Sequence, residues 1–197
     1  MKRLLITGYD PFGGESINPA WEAVKILPDQ IGAFTLHKLQ IPTRFGDAFE
    51  AVLEASRQVQ PHVILCIGQA GGRSAVTPER IGINLRHARI PDNGGFMPTE
   101  EPILKDAPAA YFATVPVSTM VKAIETAGFP AAASCTAGTF VCNETLYLLL
   151  HHFADTSVQV GFIHVPWLPE QGSPSLPLAQ TAAALEAAIG ALEGSTS

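Results

Sequence analysis

Hydrophobic positions along this chain switch between a period near two and a period near 3.6, and the switches mark out alternating strands and helices. Lys2 to Thr7 reads as a first core strand, running into a loop, Gly8-Tyr9-Asp10-Pro11-Phe12-Gly13-Gly14, with turn residues and two aromatics. Asn18-Pro19 is a helix start: Asn18 can cap, and Pro19 at the first helical position has no N–H to lose. That helix continues through Trp21, Ala23, Val24 and Ile26 to Leu27-Pro28. Phe34 to Ile41 reads as a second strand, although strict alternation breaks at Lys38-Leu39. Phe45, Phe49, Val52, Leu53 and Ala55 follow helical spacing until Pro61. Val63 to Ile67 is apolar throughout, as a central parallel strand would be.

The pattern then changes. Gln69-Ala70-Gly71-Gly72-Arg73-Ser74 is a glycine-rich turn, followed by Thr77-Pro78-Glu79-Arg80 and a short alternating stretch, Ile81 to Leu85. Phe96 to Ala113 is rich in Pro, Asp, Glu and Ala and reads as a long surface excursion, which is uncommon unless it serves a site or an interface. Ser118 to Ala127 is a helix capped by Ser118 and ended by Gly128. Phe129 to Ala133 reads as a short buried strand leading to a turn at Ala137-Gly138. Leu146, Leu148, Leu149, Leu150 and Phe153 then mark a mostly buried helix. Ser157 to Val165 reads as a core strand closed by Pro166, and Leu178 to Leu192 as a last helix with a frayed tail from Glu193 to Ser197.

Strands alternating with helices, without repeats or a linker, predict a single-domain α/β fold spanning residues 1–197, a three-layer α/β/α sandwich around a mostly parallel twisted sheet. Ligands in such sheets bind beyond the carboxyl ends of the strands. The loops holding Phe12, Gln69 to Glu79, Cys142 and His164 are all expected there.

Composition narrows the function. With 12 Lys and Arg against 18 Asp and Glu, and no basic cluster, nothing favours a nucleic-acid or anionic-membrane partner. Leu4-Leu5-Ile6 is too short for a secretory core or a membrane span. The three cysteines, Cys66, Cys135 and Cys142, have neither disulfide-framework nor zinc spacing, so free thiols in a reducing cytoplasm are expected. The low charge also hints at apolar surface buried between subunits. Cys66, inside an apolar run, reads as structural.

Cys142 falls at the first turn of its helix, where the helix dipole favours the nucleophilic thiolate. His164, at the end of the last strand, is the base such a nucleophile needs. A carboxylate must orient that histidine. Asp10, Glu79, Asp92, Glu144 and Glu170 lie near the expected loops; Glu144, two residues from Cys142 on a helix, would face away from it. Glu79 is the better candidate, with a salt bridge to Arg73, Arg80 or Arg86 as its alternative use.

Several blocks carry a resemblance. Thr7-Gly8-x-Asp10-Pro11-Phe12-Gly13-Gly14, Asn18-Pro19-x-Trp21, Gly71-Gly72-Arg73, Thr77-Pro78-Glu79-Arg80-Ile81, Ala88-Arg89-Ile90-Pro91-Asp92-Asn93, Ala137 to Asn143 and Phe162-Ile163-His164-Val165-Pro166 together resemble the pyroglutamyl peptidase I (pyrrolidone-carboxylate peptidase) family of cysteine peptidases. The resemblance implies an omega peptidase that removes an N-terminal 5-oxoproline from peptides, without a metal or other cofactor. By position, Cys142 is implied as nucleophile, His164 as general base and acid, and Glu79 as the acidic member. An oxyanion site at the Cys142 backbone N–H and the Arg89 side chain, and assembly into dimers or tetramers, are implied as well.

A small, flat, uncharged lactam calls for an apolar slot with a few fixed polar groups. Tyr9, Phe12, Phe140 and Val141 are expected to line it, with Gln69 and Thr43 nearby. The family commonly has phenylalanine at the position of Tyr9 and asparagine at that of Cys135, so this chain adds a hydroxyl near the pocket and a second thiol near the reactive turn. Two other readings stay open on sequence: a cysteine amidase for another small cyclic amide, and a nucleoside- or phosphate-binding protein whose glycine-rich loops cradle an anion.

Overall fold

The computed structural model describes residues 1–195. The six-stranded sheet is assembled from β1 (Lys2–Tyr9), β2 (Gln30–Ile31), β3 (Phe34–Ile41), β4 (Val63–Gln69), β5 (Thr77–Pro78) and, further along, β8 (Gln159–Val165). Their order is β2-β3-β1-β4-β8-β5; β3, β1, β4 and β8 are parallel, and the short outer strands β2 and β5 run antiparallel. A separate two-stranded ribbon pairs β6 (Ile81–Ile83) with β7 (Ala110–Phe112).

The pleat sorts each strand's side chains between two cores. Leu4, Ile6, Leu65, Ile67, Ile163 and Val165 point into one, shared with helices α1 (Pro19–Ile26), α3 (Val117–Thr126) and α5 (Leu178–Gly190). Leu5, Tyr9, Ile64, Cys66, Val160 and Phe162 point into the other, under α2 (Asp47–Val59) and α4 (Val141–His152). This is the three-layer sandwich expected. Asn18 caps α1 as its sequence suggests, Oδ1 accepting the Ala20 N–H at 3.1 Å. Gly8 lets α1 lie against β1, since a Cβ there would sit 2.6 Å from Trp21 Cα.

Several expectations change. β1 and β4 each run two residues further than the apolar pattern suggests, to Tyr9 and Gln69. β3 is continuous through Lys38-Leu39, because both residues keep their places in the parallel ladder opposite Ile6 and Thr7 of β1, and Lys38 Nζ pairs with Asp29 at 3.0 Å. The buried strand expected at 129–133 is absent. That segment, interrupted by Pro130, is half-buried and forms only isolated bridges beside the edge strand β5, Val76 to Ala131 and, just beyond it, Glu79 to Ser134. Ser118 does not cap α3: the helix begins at Val117 behind Pro116, and the Ser118 hydroxyl instead accepts from Arg80 Nη2.

The long excursion is tied down along its length. It contributes β7, Ala88 N–H donates to Pro98 O, Arg86 pairs with Glu101, and Asn84 Nδ2 donates to Leu104 O. α5 passes into a short 3-10 turn, Ala191–Ser195, where Glu193 accepts the Ala33 N–H, so the expected fraying does not begin at Glu193. Thr196 and Ser197, the rest of that expected tail, lie outside the described residues.

Candidate active site

His164 is the next-to-last residue of β8 and buried, at 4% exposure. The ladder places it between two neighbours. On one side its Cα partner is Gly68 of β4, and on the other it is Thr77 of β5. Paired residues of a sheet project from the same face, so whatever lies over Gly68 lies beside the imidazole. A Cβ on Gly68 would meet the Phe162 ring at 2.8 Å and Cys142 Sγ at 3.0 Å. Glycine at this position therefore leaves the space that the thiol occupies. The Phe162 ring, 4.8 Å from the His164 ring between centroids, forms the floor.

β5 carries the carboxylate in from the other side. The Glu79 N–H donates to Phe162 O at 2.9 Å, and Glu79 Oε1 lies 2.7 Å from His164 Nδ1. The same oxygen accepts from Arg73 Nη1 at 2.7 Å, and Arg73 Nη2 donates to Thr136 O at 3.0 Å. The two uses that the sequence leaves open for Glu79, ion pair and histidine partner, are thus both realised. Arg73 fastens the carboxylate to the turn before α4. Glu79 is fully buried; burial alone would raise its carboxyl, but the His164 hydrogen bond and charge, with Arg73, leave it below its ordinary value. Burial pushes His164 below its ordinary value despite Glu79, so the resting ring is neutral.

Cys142 is the second residue of α4, where an N–H has no intrahelical partner. Phe140, at the N-cap, supplies no side-chain bond to consume it. The expected helix-stabilised thiolate is not what the environment favours. Burial, followed by the negative charge of Glu79, pushes the thiol up to about 12, outweighing Arg73 and the backbone N–H. The resting group is a thiol, set over the glycine whose ladder neighbour is the neutral His164.

A ring of aromatics borders this centre. Phe140 lies 6.0 Å from Phe12 and 5.2 Å from Phe45, and Phe45 lies 5.7 Å from Phe96 in an edge-to-face contact. Of the expected lining residues, Phe12 and Phe140 are partly exposed and Arg89 is exposed. Val141, at 0%, and Thr43, at 2%, lie beneath this layer, as does Tyr9 at 1%, its ring 6.2 Å from Phe162. The Tyr9 hydroxyl lies near Thr145 without a hydrogen bond of good geometry. Gln69 follows Gly68, so its side chain leaves the opposite face of the sheet, where Gln171 Nε2 donates to its Oε1 at 3.4 Å. Only the Gln69 main chain borders the site.

Three of the carboxylates weighed from the sequence as partners for His164 instead hold the loop at 42–46. Thr43 N–H donates to Asp10 Oδ1 at 2.7 Å, Phe45 N–H to Asp92 Oδ2 at 2.9 Å, and Gly46 N–H to Glu144 Oε2 at 2.6 Å. Three carboxylates from three segments thus fix the loop that presents Phe45. Glu144 faces away from Cys142 as expected, and also pairs with Arg86 at 3.0 Å. Asn143 pins β6 to α4, accepting from Ile83 N and donating to Ile83 O and Leu85 O, each at 2.9 Å. The only signal for these roles in the sequence is polar residues among aromatics, which does not name partners. Among the described residues no group of three or more His, Cys, Asp or Glu side chains could hold a metal.

Known proteins bear on this arrangement. A family model described as pyroglutamyl peptidase matches residues 2–194. A protein of Levilactobacillus brevis named pyrrolidone-carboxylate peptidase is 53% identical, over 96% of this chain and 97% of its own. One of the same name from Yersinia pestis is 49% identical, over 96% and 92%. Among solved structures, pyroglutamyl peptidase I of Bacillus amyloliquefaciens superposes with a TM-score of 0.95 at 44% identity, covering 98% of both chains. Pyrrolidone carboxyl peptidase of Thermococcus litoralis superposes at 0.94 with 35% identity, covering 98% of this chain and 94% of that one.

Proposed function

The chain belongs to the pyroglutamyl peptidase family, and from that premise we propose that it is a cysteine exopeptidase hydrolysing the amide bond after an N-terminal 5-oxoproline of peptides. The observation that carries the reading is the buried Glu79–His164 pair, 2.7 Å apart, with Cys142 Sγ over the glycine that neighbours His164 in the ladder. Cys142 attacks the pyroglutamyl carbonyl carbon while His164 takes the thiol proton. Glu79 accepts from His164 Nδ1 and stabilises the imidazolium. The oxyanion turns to the free Cys142 N–H, and Arg89 stands near that turn as a second donor; one such donor is worth about 3 kcal/mol of transition-state stabilisation. Collapse returns the proton from His164 to the leaving amine, and water, activated by the same ring, releases pyroglutamate from the thioester.

Phe12, Phe140 and Phe45 form the apolar slot for the lactam ring, backed by Tyr9 and Val141, with Thr43 and the Gln69 main chain at its edge. The three free thiols suit a reducing cytoplasm. No helix among the described residues is long and apolar enough to cross a membrane. Assembly as a homo-oligomer is supported by the large apolar side chains left exposed at Ile26, Met97 and Phe112. The phosphate-cradle alternative gives no role to Cys142 beside His164.

The test is release of a fluorogenic amine from its pyroglutamyl amide beside the prolyl amide. Hydrolysis of the first with at least about a hundredfold discrimination against the second is expected, because a site built around the lactam carbonyl leaves polar groups unpaired when it is missing. Absence of hydrolysis by folded, reduced protein would overturn the reading.

A further inference from the structure

A cavity of about 400 Å³ opens beside the turn that leads into Cys142, lined by His87, Arg89, Ile90, Gly138, Thr139 and Phe140. Its two walls are tied to each other: His87 N–H donates to Thr139 O, and Thr139 Oγ1 donates to His87 O, both at 2.9 Å. The cavity walls are therefore tied by one main-chain bond and by the Thr139 hydroxyl, neither of which uses the side chains of His87 and Arg89.

Two of those side chains lack partners. His87 Nδ1 is covered by protein and bonded to nothing, and the residue lines the cavity without a side-chain hydrogen bond among the described residues. The Arg89 guanidinium is exposed and, among the described residues, makes no ion pair or hydrogen bond. Lys25, Lys38, Arg44, Arg57, Arg73 and Arg86 each hold a carboxylate. A bare guanidinium and an open imidazole in one cavity, with Ile90 and Phe140 as apolar walls, are the complement of a small anion carrying an apolar group.

Phe140 borders both this cavity and the aromatic slot, and Cys142 follows two residues later. A peptide whose pyroglutamyl carbonyl lies at Cys142 has its next residue within reach of the cavity. We propose that the cavity receives the residue after pyroglutamate and that Arg89 and His87 bind its free α-carboxylate. The preferred substrates are then pyroglutamyl dipeptides, and amidated or longer peptides are poorer ones. The inference rests on the peptidase reading above. Arg89 has several N–H donors, so it can serve the carboxylate without giving up a bond to the oxyanion.

The experiment compares kcat/KM for pyroglutamyl-alanine with that for pyroglutamyl-alaninamide, in the wild type and in His87→Ala and Arg89→Gln. Each protein's amidated substrate is its own reference, so a general loss of activity or folding does not imitate the effect. The expected wild-type ratio is about tenfold or more in favour of the free carboxylate, since charge-assisted bonds are the strong ones. His87→Ala lowers that ratio several-fold and Arg89→Gln brings it close to one. Raising the salt from about 0.05 to 0.5 M lowers the wild-type ratio through screening at this open site, a readout that needs no variant. A wild-type ratio near one, or a ratio that both variants leave unchanged, would overturn the proposal. If neither peptide nor the pyroglutamyl fluorogenic amide is cleaved, it is the peptidase reading that fails.

Discussion

Cys66 and Cys142 belong to the same layer of the molecule, on the face of the sheet covered by α2 and α4, and their surroundings make a controlled comparison. Cys66 stands in the middle of β4, fully buried, with Thr7 of β1 as its ladder partner and apolar side chains around it. Cys142 stands two residues further along the strand direction, over Gly68, at the start of α4 and partly exposed. Burial pushes both thiols up to about 12. Thiol acidity in the resting protein therefore does not distinguish the proposed nucleophile from the cysteine in the strand. What differs is company: Cys142 has a neutral imidazole beside it, a carboxylate behind that imidazole, an uncommitted backbone N–H and an open aromatic slot. Cys66 has none of these. The middle of the sheet supplies packing, and its carboxyl edge, where the strands stop and loops meet, supplies chemistry.

The comparison can be broken most severely at the nucleophile. Cys142→Ser is expected to lower kcat/KM for a pyroglutamyl amide by at least about a thousandfold with the fold intact by circular dichroism; activity within tenfold of wild type would remove Cys142 from the mechanism. Next in size is Glu79→Gln, which keeps the shape but not the charge that orients His164. A loss on the order of 10³- to 10⁴-fold in kcat is expected, with KM changed little, measured by steady-state kinetics.

A smaller effect is set by pH. His164 must be neutral to accept the proton, and burial lowers it from its ordinary 6.5, so the acidic limb of kcat/KM is expected below pH 6.5. Stability follows the same sign. On acidification the unfolded chain takes up a proton on His164 below 6.5, and then on Glu79, before the folded chain does. Both contributions are present at higher pH and lost as pH falls. Denaturant titrations at pH 7.5 and 5.5 would show it as a lower midpoint at pH 5.5. The smallest expected effect is at the other thiol: Cys66→Ala should cost about 1–2 kcal/mol of stability by denaturant titration and leave kcat/KM within about threefold.

Much of this architecture is legible in the chain because its strongest signals are local. The apolar run of β4, the Asn18-Pro19 start and the spacing of α4 each specify an element by short-range rules, and the order of elements then implies the sheet. Cys142 and His164 are legible for the same reason, as residues at a helix start and a strand end. Glu79 can be narrowed to a candidate, but its partner cannot be read from spacing, because β5 is two residues long and gains its place only by pairing with β8. The segment at 129–133 misleads because its apolar residues fit a buried strand, while its pairing goes only to the edge around β5, at 76–80, as isolated bridges. The slot's inner residues mislead differently. Tyr9, Thr43 and Val141 are neighbours of the right loops in the sequence, and only the structure shows that all three are buried behind the partly exposed Phe12 and Phe140. Asp10, Asp92 and Glu144 are visible in the sequence as carboxylates near the site loops, but their bonds to the loop at 42–46 are not, because each comes from a distant part of the chain.

The most direct test of the central claim is to alkylate the protein with iodoacetamide in steps from substoichiometric to excess, map the modified cysteines by mass spectrometry and follow hydrolysis of the pyroglutamyl amide in the same samples. Cys135 is exposed and reacts too, and Cys66 is buried and stays unmodified. The account predicts that activity falls in proportion to modification of Cys142 and independently of Cys135. Activity that survives complete modification of Cys142, or that is lost in step with Cys135, would contradict it.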